Sequence, residues 1–471
     1  MHIPKTHLKP IKTLAVSILL SVAASMQAQQ TPTPGLTLQQ AVQNALQNYP
    51  AITVSQEQIE AAAAGIQLAR TAYLPKIDSI AQVNRATRNN VFGLLLPQSV
   101  IPSISGPVLG SNNAGSVWSS GVGALVTWEP FDFGLRKANV SAATASRTRT
   151  ETTLKRTQFE VSVSTADAFL TLVAAQETVR AAQAGIDRAQ SVSKTVRAQA
   201  DAQLRPGADA SRVDAELAAA RTQLAQAQQA EAIARALLAQ FLGTTPQQIV
   251  VSATKLLQLP PEQSLPPSSA GQLSQNPIAA EQNAVIEQKK ADLRVLEKSY
   301  VPRLFTQASA YARGTGARLD GARAGGVNGL APDTQNYSLG FTVTFPVFDL
   351  PSIHAREAGQ SATIRAETAR YLQITTELAA RRNAAEAALE GSRNIAANTP
   401  AVVSAATAAN QQATARYQAG LGTIVEVADT QRLLTQAEID NSLARLGVWR
   451  ALLSLAATTG DLQPFLTSTA P

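Results

Sequence analysis

The sequence contains no cysteine and only three histidines, and these shortages remove several classes of function. A chain without cysteine forms no disulfide, performs no thiol chemistry and offers no N-terminal cysteine for lipid modification. His2 and His7 belong to the N-terminal leader described below, which leaves His354 alone for metal clusters or histidine-based triads. No phosphate-binding GxxxxGK[ST] motif occurs either. We therefore expect no enzyme activity, no metal and no other cofactor.

Positive charge is also scarce once the N-terminus is set aside. The formal net charge is +7, and subtracting Lys5, Lys9 and Lys12 of the leader leaves +4. No dense basic run interleaved with aromatic residues occurs, so we expect no nucleic-acid partner.

Residues 1–28 have the features of a secretory signal peptide. The leader lysines precede an apolar stretch from Leu14 to Ala24, and small residues lead to a cleavage site near Ala28. This stretch is too short to cross a bilayer as an anchor. Beyond it there is no run of about 18 consecutive apolar residues. We predict an exported chain without a transmembrane helix.

Two stretches about half a chain apart have nearly the same sequence pattern. Tyr73–Lys76 (YLPK) recurs as Tyr300–Arg303 (YVPR) at an offset of 227, and Val126–Trp128 (VTW) recurs as Val343–Phe345 (VTF) at an offset of 217. Solenoid repeats have periods of about 20–50 residues, so this pattern indicates a duplicated half-molecule. The offset changes between the matched blocks, which indicates that one connecting loop differs in length between the halves.

Each half predicts the same order of elements, namely short helices, two strands and two long helices. The run 135–204 contains no proline and, at about 1.5 Å per residue, would be on the order of 100 Å long. The first repeat is predicted at 29–243, with strands at about 77–87 and 117–128 and long helices at about 135–204 and 209–242. A proline-rich linker at 244–269 leads to the second repeat at 270–458, with strands at about 304–313 and 336–346 and long helices at about 353–417 and 423–457. Residues 459–471 are predicted to be a poorly ordered tail.

The strands alternate apolar side chains with small or polar ones and are bounded by aromatic residues. Trp118 and Trp128 lie ten residues apart in the first half, and Tyr337 and Phe345 bound the corresponding strand in the second. A strand of that length is about 33 Å long and, at a tilt near 45°, rises about 24 Å, close to the apolar band of an outer-membrane barrel. We predict that these four aromatics lie at membrane interfaces. A half-buried sheet in a soluble domain is the alternative.

Four strands are too few to close a barrel, and lipid does not tolerate an open sheet edge. Single-chain barrels begin at about eight strands. Three copies of this chain would supply about 3 × 4 = 12 strands with closed symmetry. The predicted fold class is therefore mainly α with a small transmembrane β portion, completed as a trimer.

The turn between the last two long helices resembles a signature of the TolC family, the outer-membrane efflux and secretion ducts of Gram-negative bacteria. Tyr417–Asp429 (YQAGLGTIVEVAD) is similar to the family's Tyr, Gly, Thr-Ile-Val, acid and second acid, and Gly207–Leu217 is the first-half counterpart. The order of elements is similar from Thr37 to about Gly460. The resemblance implies a homotrimer with a barrel in the outer membrane and a helical tunnel through the periplasm. It also implies a tunnel tip that meets a periplasmic adaptor protein and an inner-membrane pump, without catalytic activity.

By this resemblance, Glu426 and Asp429 correspond to acidic rings that narrow the periplasmic tip and favour cations. Asp209 is the weaker counterpart in the first half, and Tyr417 is available for a hydrogen bond across the tip. The alternative is purely structural. Thr423 and Glu426 also form the sequence of a capping box, Asp429 one turn later complements the helix dipole, and Asp209 is a helix cap.

Both predicted tip turns depart from the family pattern. Gly422 stands where relatives with a latched tip often have an arginine, and Gln203 stands where a glycine is expected in the first half. The resemblance therefore leaves open how the closed state is held. The residues that we assign to the tip turns and to adaptor contact are Arg205, Pro206, Gly207, Gly420, Gly422 and Thr423.

The leading hypothesis is a passive outer-membrane duct of a tripartite efflux or type I secretion system, surrounded by the lipid bilayer at its barrel. The alternative is an exported coiled-coil scaffold or adhesin, which would use the same alanine-rich helices without aromatic-bounded strands. The substrate stays open, because drugs, metal ions and polypeptides all leave by ducts of this architecture.

Overall fold

The structure is a computed structural model that describes residues 35–87, 115–261, 270–318 and 322–470. The predicted signal peptide at 1–28, most of the loop between the first two strands and part of the proline-rich linker lie outside the described residues. Within the described ranges the fold is mainly helical with one small sheet, as the sequence predicts.

The two halves of the chain repeat one order of elements. None of the helices in the described ranges is both long and apolar enough to cross a membrane. The first half comprises α1 (Leu38–Asn48), α2 (Pro50–Thr71), β1 (Lys76–Thr87), β2 (Ser116–Phe131), α3 (Leu135–Asp201) and α4 (Gly207–Leu242). The second half comprises a 3-10 helix (Ala270–Gln275), α5 (Pro277–Glu297), β3 (Arg303–Thr315), β4 (Thr334–Thr344), α6 (Leu350–Gln418) and α7 (Ile424–Thr459), followed by α8 (Gln463–Thr469).

Local sequence explains where the shorter helices begin. Thr37 and Gln40 form a reciprocal capping box at α1, in which the Thr37 hydroxyl accepts from the Gln40 amide at 3.3 Å. α2 and α5 each begin with a proline, Pro50 and Pro277, at the position where a missing amide hydrogen costs nothing. The residue before Pro277 is Asn276, whose side-chain oxygen accepts a hydrogen bond from the Ile278 amide at 3.0 Å. The duplication is therefore visible in the prolines that begin α2 and α5.

The strands form one antiparallel sheet in the order β1-β2-β3-β4, so the halves join where β2 pairs with β3. Side chains on alternating faces differ in character. The Ser309 and Ser338 hydroxyls lie 2.7 Å apart on one face. The opposite face of β4 carries exposed apolar side chains, namely Tyr337, Leu339, Phe341 and Val343. β1 and β4 are the two edges of this four-stranded sheet.

The main hydrophobic core lies where α1, α3, α4, α6, α7 and α8 meet. Phe169 of α3 and Trp449 of α7 are among its fully buried side chains. The indole Nε1 of Trp449 donates to the carbonyl oxygen of Gln258 at 2.9 Å, which satisfies its only polar atom. Residues of the segment between the two halves also belong to this core, so the segment packs against helices of both halves.

The C-terminal segment differs from the sequence-based expectation of a poorly ordered tail. Residues 463–469 form α8, and the fully buried ring of Phe465 packs edge-on against Trp449 with centroids 6.4 Å apart. The Asp461 carboxylate accepts from the Gln463 amide at 2.9 Å and so begins the helix. A seven-residue helix has no periodicity of its own, and the core contact of Phe465 is what makes it form.

The two long hairpins, α3–α4 and α6–α7, meet along α3 and α7. Arg188 of α3 donates to both carboxylate oxygens of Glu438 at 2.7 and 3.0 Å and to the Thr435 hydroxyl at 2.9 Å. Beside this pair, a Cβ on Gly185 would approach the Thr435 hydroxyl to 2.9 Å, so the helices come close only because residue 185 has no side chain.

α6 continues through a proline that the sequence-based interpretation did not weigh. Pro400 has no amide hydrogen, so the Ala396 carbonyl loses its usual helical donor. The Thr399 hydroxyl lies 3.4 Å from that carbonyl oxygen and 3.0 Å from the side-chain oxygen of Asn441 on α7. Thr399 of α6 and Asn441 of the neighbouring α7 therefore stabilise α6 at the position where Pro400 removes a helical hydrogen bond.

Candidate functional site at the hairpin turns

The turns of the two long hairpins lie side by side, at the far end of α3 and α6 from the sheet. Between them is a small apolar cluster separate from the main core. Tyr417 of α6 is its largest member, and the other buried residues are Val196, Val213, Ala413, Ile424 and Val427. The first and second hairpins both contribute, so the cluster holds the two turns together.

Each turn contains one residue in the left-handed backbone region. In the second hairpin this is Gly420 (φ +78°), which adopts the conformation without strain. In the first it is Gln203 (φ +59°), at the equivalent position 217 residues earlier. A side chain in this region costs about 1–2 kcal/mol. The first turn thus keeps the geometry of the second although it lacks the expected glycine.

Tyr417 connects the two turns through both its ring and its hydroxyl. The ring is only 4% exposed and lies under the Arg205 guanidinium, 4.6 Å from the ring centroid. Arg205 also donates from Nη2 to the backbone oxygen of Tyr417 at 2.8 Å. The Tyr417 hydroxyl donates to the Asp209 carboxylate at 3.5 Å. Burial, and then the negative charge of Asp209, raise the pKa of Tyr417, so the hydroxyl stays protonated and able to donate.

Arg205 stands at the position equivalent to Gly422, since the two are also 217 residues apart. The basic residue missing from the second turn is therefore present in the first and reaches across to the second. Gly422 itself is tightly surrounded, because a Cβ there would lie 3.2 Å from the Glu426 carboxylate and 3.3 Å from the Tyr417 amide nitrogen. Sequence reasoning assigned Arg205 to the tip turn and to adaptor contact and did not identify its contact with Tyr417.

Glu426 begins the second helix of its hairpin. The Thr423 hydroxyl accepts from the Glu426 amide at 3.3 Å, which is one of the two hydrogen bonds of the capping box that the sequence indicates. Among the described residues, no basic side chain is within ion-pair distance of the Glu426 carboxylate. Its charge is therefore not neutralised by a direct partner in the single chain.

Asp429 has a different environment, because Arg432 pairs with it one helical turn later. The same guanidinium lies 3.6 Å from Glu216 of α4, and Glu216 is 3.4 Å from Arg212. Glu216, Asp429 and Arg432 line a groove between α4 and α7. The two acids that the resemblance groups together therefore differ in this chain, one without a basic partner and one paired.

Two exposed leucines at the turns were not identified from the sequence. Leu204 is 75% exposed and Leu421 is 73% exposed. They are also equivalent at an offset of 217, and each follows the left-handed residue of its turn. That repeat relation was the signal available to find them. Pro206 and Gly207 complete the first turn by starting α4.

Of the four predicted interface aromatics, Trp118 and Trp128 lie on β2, Tyr337 lies on β4 and Phe345 directly follows β4, and their environments differ. Tyr337, Phe345 and Trp128 are exposed, and the indole of Trp128 donates to the Tyr73 carbonyl at 3.1 Å. Trp118 is partly buried and has the Arg85 guanidinium 5.2 Å from its ring centroid. Within the described ranges, no group of three or more potential metal-ligating side chains occurs.

Comparison with known proteins identifies the architecture. A family model described as "Outer membrane efflux protein" matches residues 41–244 and 271–461, which includes both repeats. The chain belongs to this family. It is homologous to outer-membrane efflux channels, and it is a passive duct of the outer membrane, not an enzyme. The alternative of a scaffold or adhesin without transport activity is thereby set aside.

Solved channels share the fold at low sequence identity. The outer-membrane channel OprN aligns with a TM-score of 0.71 at 20% identity, covering 90% of this chain and 89% of OprN. The CmeC channel of Campylobacter jejuni aligns at 0.74 and 16%, covering 90% and 85%. The open state of the Neisseria gonorrhoeae MtrE channel aligns at 0.70 and 18%, covering 90% and 89%. Among curated protein sequences none matches the chain.

The left-handed residues of the turns give a paired stability prediction. Gln203→Gly should leave stability unchanged or raise it by up to about 1 kcal/mol, because relief of strain exceeds the added freedom of the unfolded chain. Gly420→Gln should lower it by about 1 kcal/mol or more. Denaturant unfolding in detergent measures both, with Gln223→Gly in the interior of α4 as the control that should cost about 1 kcal/mol. If Gln203→Gly lowers the free energy of unfolding as much as Gln223→Gly does, the backbone of residue 203 is not strained.

Proposed function

We propose that three copies of this chain form the outer-membrane duct of a tripartite efflux or type I secretion system. The duct receives substrates from a periplasmic adaptor and an inner-membrane pump and carries them passively to the exterior. The single observation that supports this most is the four-stranded open sheet, continuous with two long helical hairpins, in a chain of the outer membrane efflux protein family.

The proposed trimer accounts for the two edges of the sheet. Among the described residues, the outer edges of β1 and β4 carry backbone amides and carbonyls without strand partners. The bilayer core has no water to satisfy them, so each edge needs a strand of another copy. Pairing β4 of one copy with β1 of the next gives a closed, symmetric ring of about 3 × 4 = 12 strands and a tunnel of about 3 × 4 = 12 long helices.

The protein purified from outer membranes tests this assignment. We expect a trimer that survives mild detergent, dissociates on heating and forms ion-conducting channels in planar bilayers. Deletion of the gene should raise the sensitivity of the cell to the exported compounds. A monomeric, water-soluble protein without conductance would refute the duct.

We further propose that the contacts of Tyr417 hold the duct closed at the periplasmic tip. Arg205 of the first hairpin contacts Tyr417 of the second through a charge-assisted hydrogen bond and a cation–π contact. Asp209, also of the first hairpin, accepts a hydrogen bond from the Tyr417 hydroxyl. Opening of the tip would require the hairpins to separate and these contacts to break. Adaptor contact is proposed for the turn segments Leu204–Gly207 and Gly420–Thr423, where Leu204 and Leu421 are exposed.

Removing the arginine should favour the open duct. Arg205→Gln loses a charge-assisted hydrogen bond worth about 1.5–3 kcal/mol and a cation–π contact worth about 0.5–1 kcal/mol. Since each 1.4 kcal/mol is about tenfold, single-channel recordings should show at least about tenfold more open time. The control is Arg416→Gln, because Arg416 bonds only the Leu421 carbonyl of its own turn, at 3.3 Å. Equal open times for the two variants would exclude the Arg205–Tyr417 contacts as what holds the duct closed.

Glu426 and Asp429 should contribute unequally to ion selectivity. Three copies of Glu426 around one axis would concentrate negative potential, whereas Arg432 offsets Asp429. We expect Glu426→Gln to lower the cation-to-anion permeability ratio, Asp429→Asn to change it less, and Arg432→Gln to raise it. Reversal potentials in a salt gradient measure the ratio. If Glu426→Gln combined with Asp429→Asn leaves it unchanged, these acids are helix caps and not a filter.

A further inference from the structure

The inner face of the sheet carries one isolated charge near the exterior. All four strands join their helices at one rim of the sheet, so in the proposed duct the opposite rim faces the exterior. The face with the Ser309 and Ser338 hydroxyls lines the duct, because exposed apolar side chains of β4 cover the other face. Among the described residues on this inner face beyond Ser309, Arg313 of β3 alone is charged.

The strand register fixes the direction and the neighbours of Arg313. It lies four residues after Ser309 on β3, so the two side chains share the inner face. Directly opposite it are Gly121 on β2 and Thr334 on β4. Glycine has no side chain and threonine has only an uncharged hydroxyl, so neither neighbour neutralises the guanidinium.

No carboxylate pairs with Arg313 within the part of the chain that the structure describes, where its nearest acid in sequence is Asp333. The Asp333 carboxylate instead accepts from the Thr334 hydroxyl at 3.1 Å. Arg303, at the helical end of the same strand, differs because Glu129 pairs with it at 2.7 Å. The charge of Arg313 is therefore available to a ligand inside the duct.

An aromatic ring lies beside this guanidinium. Tyr311 precedes Arg313 by two residues, so both point to the inner face, and its partner on β2 is Gly123. A Cβ on Gly123 would lie 2.3 Å from the Tyr311 Cβ, so Tyr311 takes this position only because residue 123 is glycine. A phenol hydroxyl and a guanidinium, both hydrogen-bond donors, thus lie side by side on the wall.

The surroundings of Arg313 have the same sign of charge. Residues 85–118, which join β1 to β2 at the exterior end, contain two arginines and no other charged residue. Residues 312–336, which join β3 to β4, contain three arginines and two aspartates, so the net charge of this end is +3 per chain. Twelve strands about 4.8 Å apart and tilted by about 45° would enclose a barrel about 26 Å across, whose low-dielectric wall focuses this potential.

We propose that Arg313 and Tyr311 form an anion-binding site on the inner wall of the barrel, one per copy. It binds the phosphate or carboxylate groups of small multivalent anions that enter from the exterior. The proposal rests on the proposed duct. A guanidinium offers two parallel hydrogen bonds to such groups, and rings of basic side chains line anion-selective pores. The two ends of the duct then prefer ions of opposite sign, since unpaired Glu426 lies at the other end.

Block of the channel current by inorganic triphosphate tests the site. The trimer is inserted into planar bilayers in about 0.1 M salt, where charges interact over about 10 Å. Triphosphate is added to the opposite side, which the exterior rim faces because the charged helical hairpins stay on the side of insertion. Arg313→Gln removes the charge, and Thr334→Glu keeps Arg313 but places a carboxylate directly opposite it. Arg85→Gln is the matched control, because Arg85 lies near the same rim on the other face, with Trp118.

We expect Arg313→Gln and Thr334→Glu each to raise the half-blocking concentration of triphosphate at least about tenfold, and Arg85→Gln to change it less than about twofold. A value for Arg313→Gln equal to that of the wild type overturns the site. An equal rise for Arg85→Gln also overturns it, because then only the net charge of the exterior end matters.

The same recordings separate the site from the duct. A wild-type trimer that conducts but is not blocked by triphosphate overturns the anion site and leaves the duct intact. A protein without conductance refutes the duct and the site with it. Should Arg313→Gln fail to assemble, Thr334→Glu carries the test, because residue 334 is exposed at the start of β4.

Discussion

Backbone amides and carbonyls on the edge of a membrane-embedded sheet need partners, since lipid supplies none, and the rest of this molecule depends on that constraint. β1 and β4 are the edges of the four-stranded sheet. The duplication adds strands in pairs, and the four strands of the described residues are fewer than the number that closes a barrel. In the proposed duct, assembly with other copies is therefore part of the fold, and the long helices follow the same symmetry.

Along the long helices, small residues and ion pairs hold neighbouring helices together. Gly185 lets α3 approach α7, and Arg188 with Glu438 fixes their relative position. At the far end, a small apolar cluster around Tyr417 lies between the two turns. Arg205 and Asp209 add polar contacts to Tyr417 there.

The two halves have diverged in a complementary way. The second turn has the glycine at its left-handed position and also at the position of the basic residue. The first turn has a glutamine in the strained conformation and an arginine at the other position. Because the turns are adjacent, Arg205 can serve the hairpin that lacks such a residue. Duplication thus allows a role to move from one copy to the other without loss of the contact.

Local pattern and repetition in the sequence were enough to determine the helices before the C-terminal segment, the strands, their order, the fold class and the position of the two turns. Alternation with period two marks β2 and β4, proline marks the starts of α2 and α5, and Tyr417–Asp429 indicates the family. Tertiary structure alone decided that Arg205 contacts the ring and the backbone oxygen of Tyr417, that Arg432 pairs with Asp429, and that Phe465 orders the C-terminal segment. Periodicity reports which face of an element is apolar and says nothing of which partner that face meets. Arg205 and Tyr417 are 212 residues apart, and only the packing of whole hairpins brings them within hydrogen-bond distance.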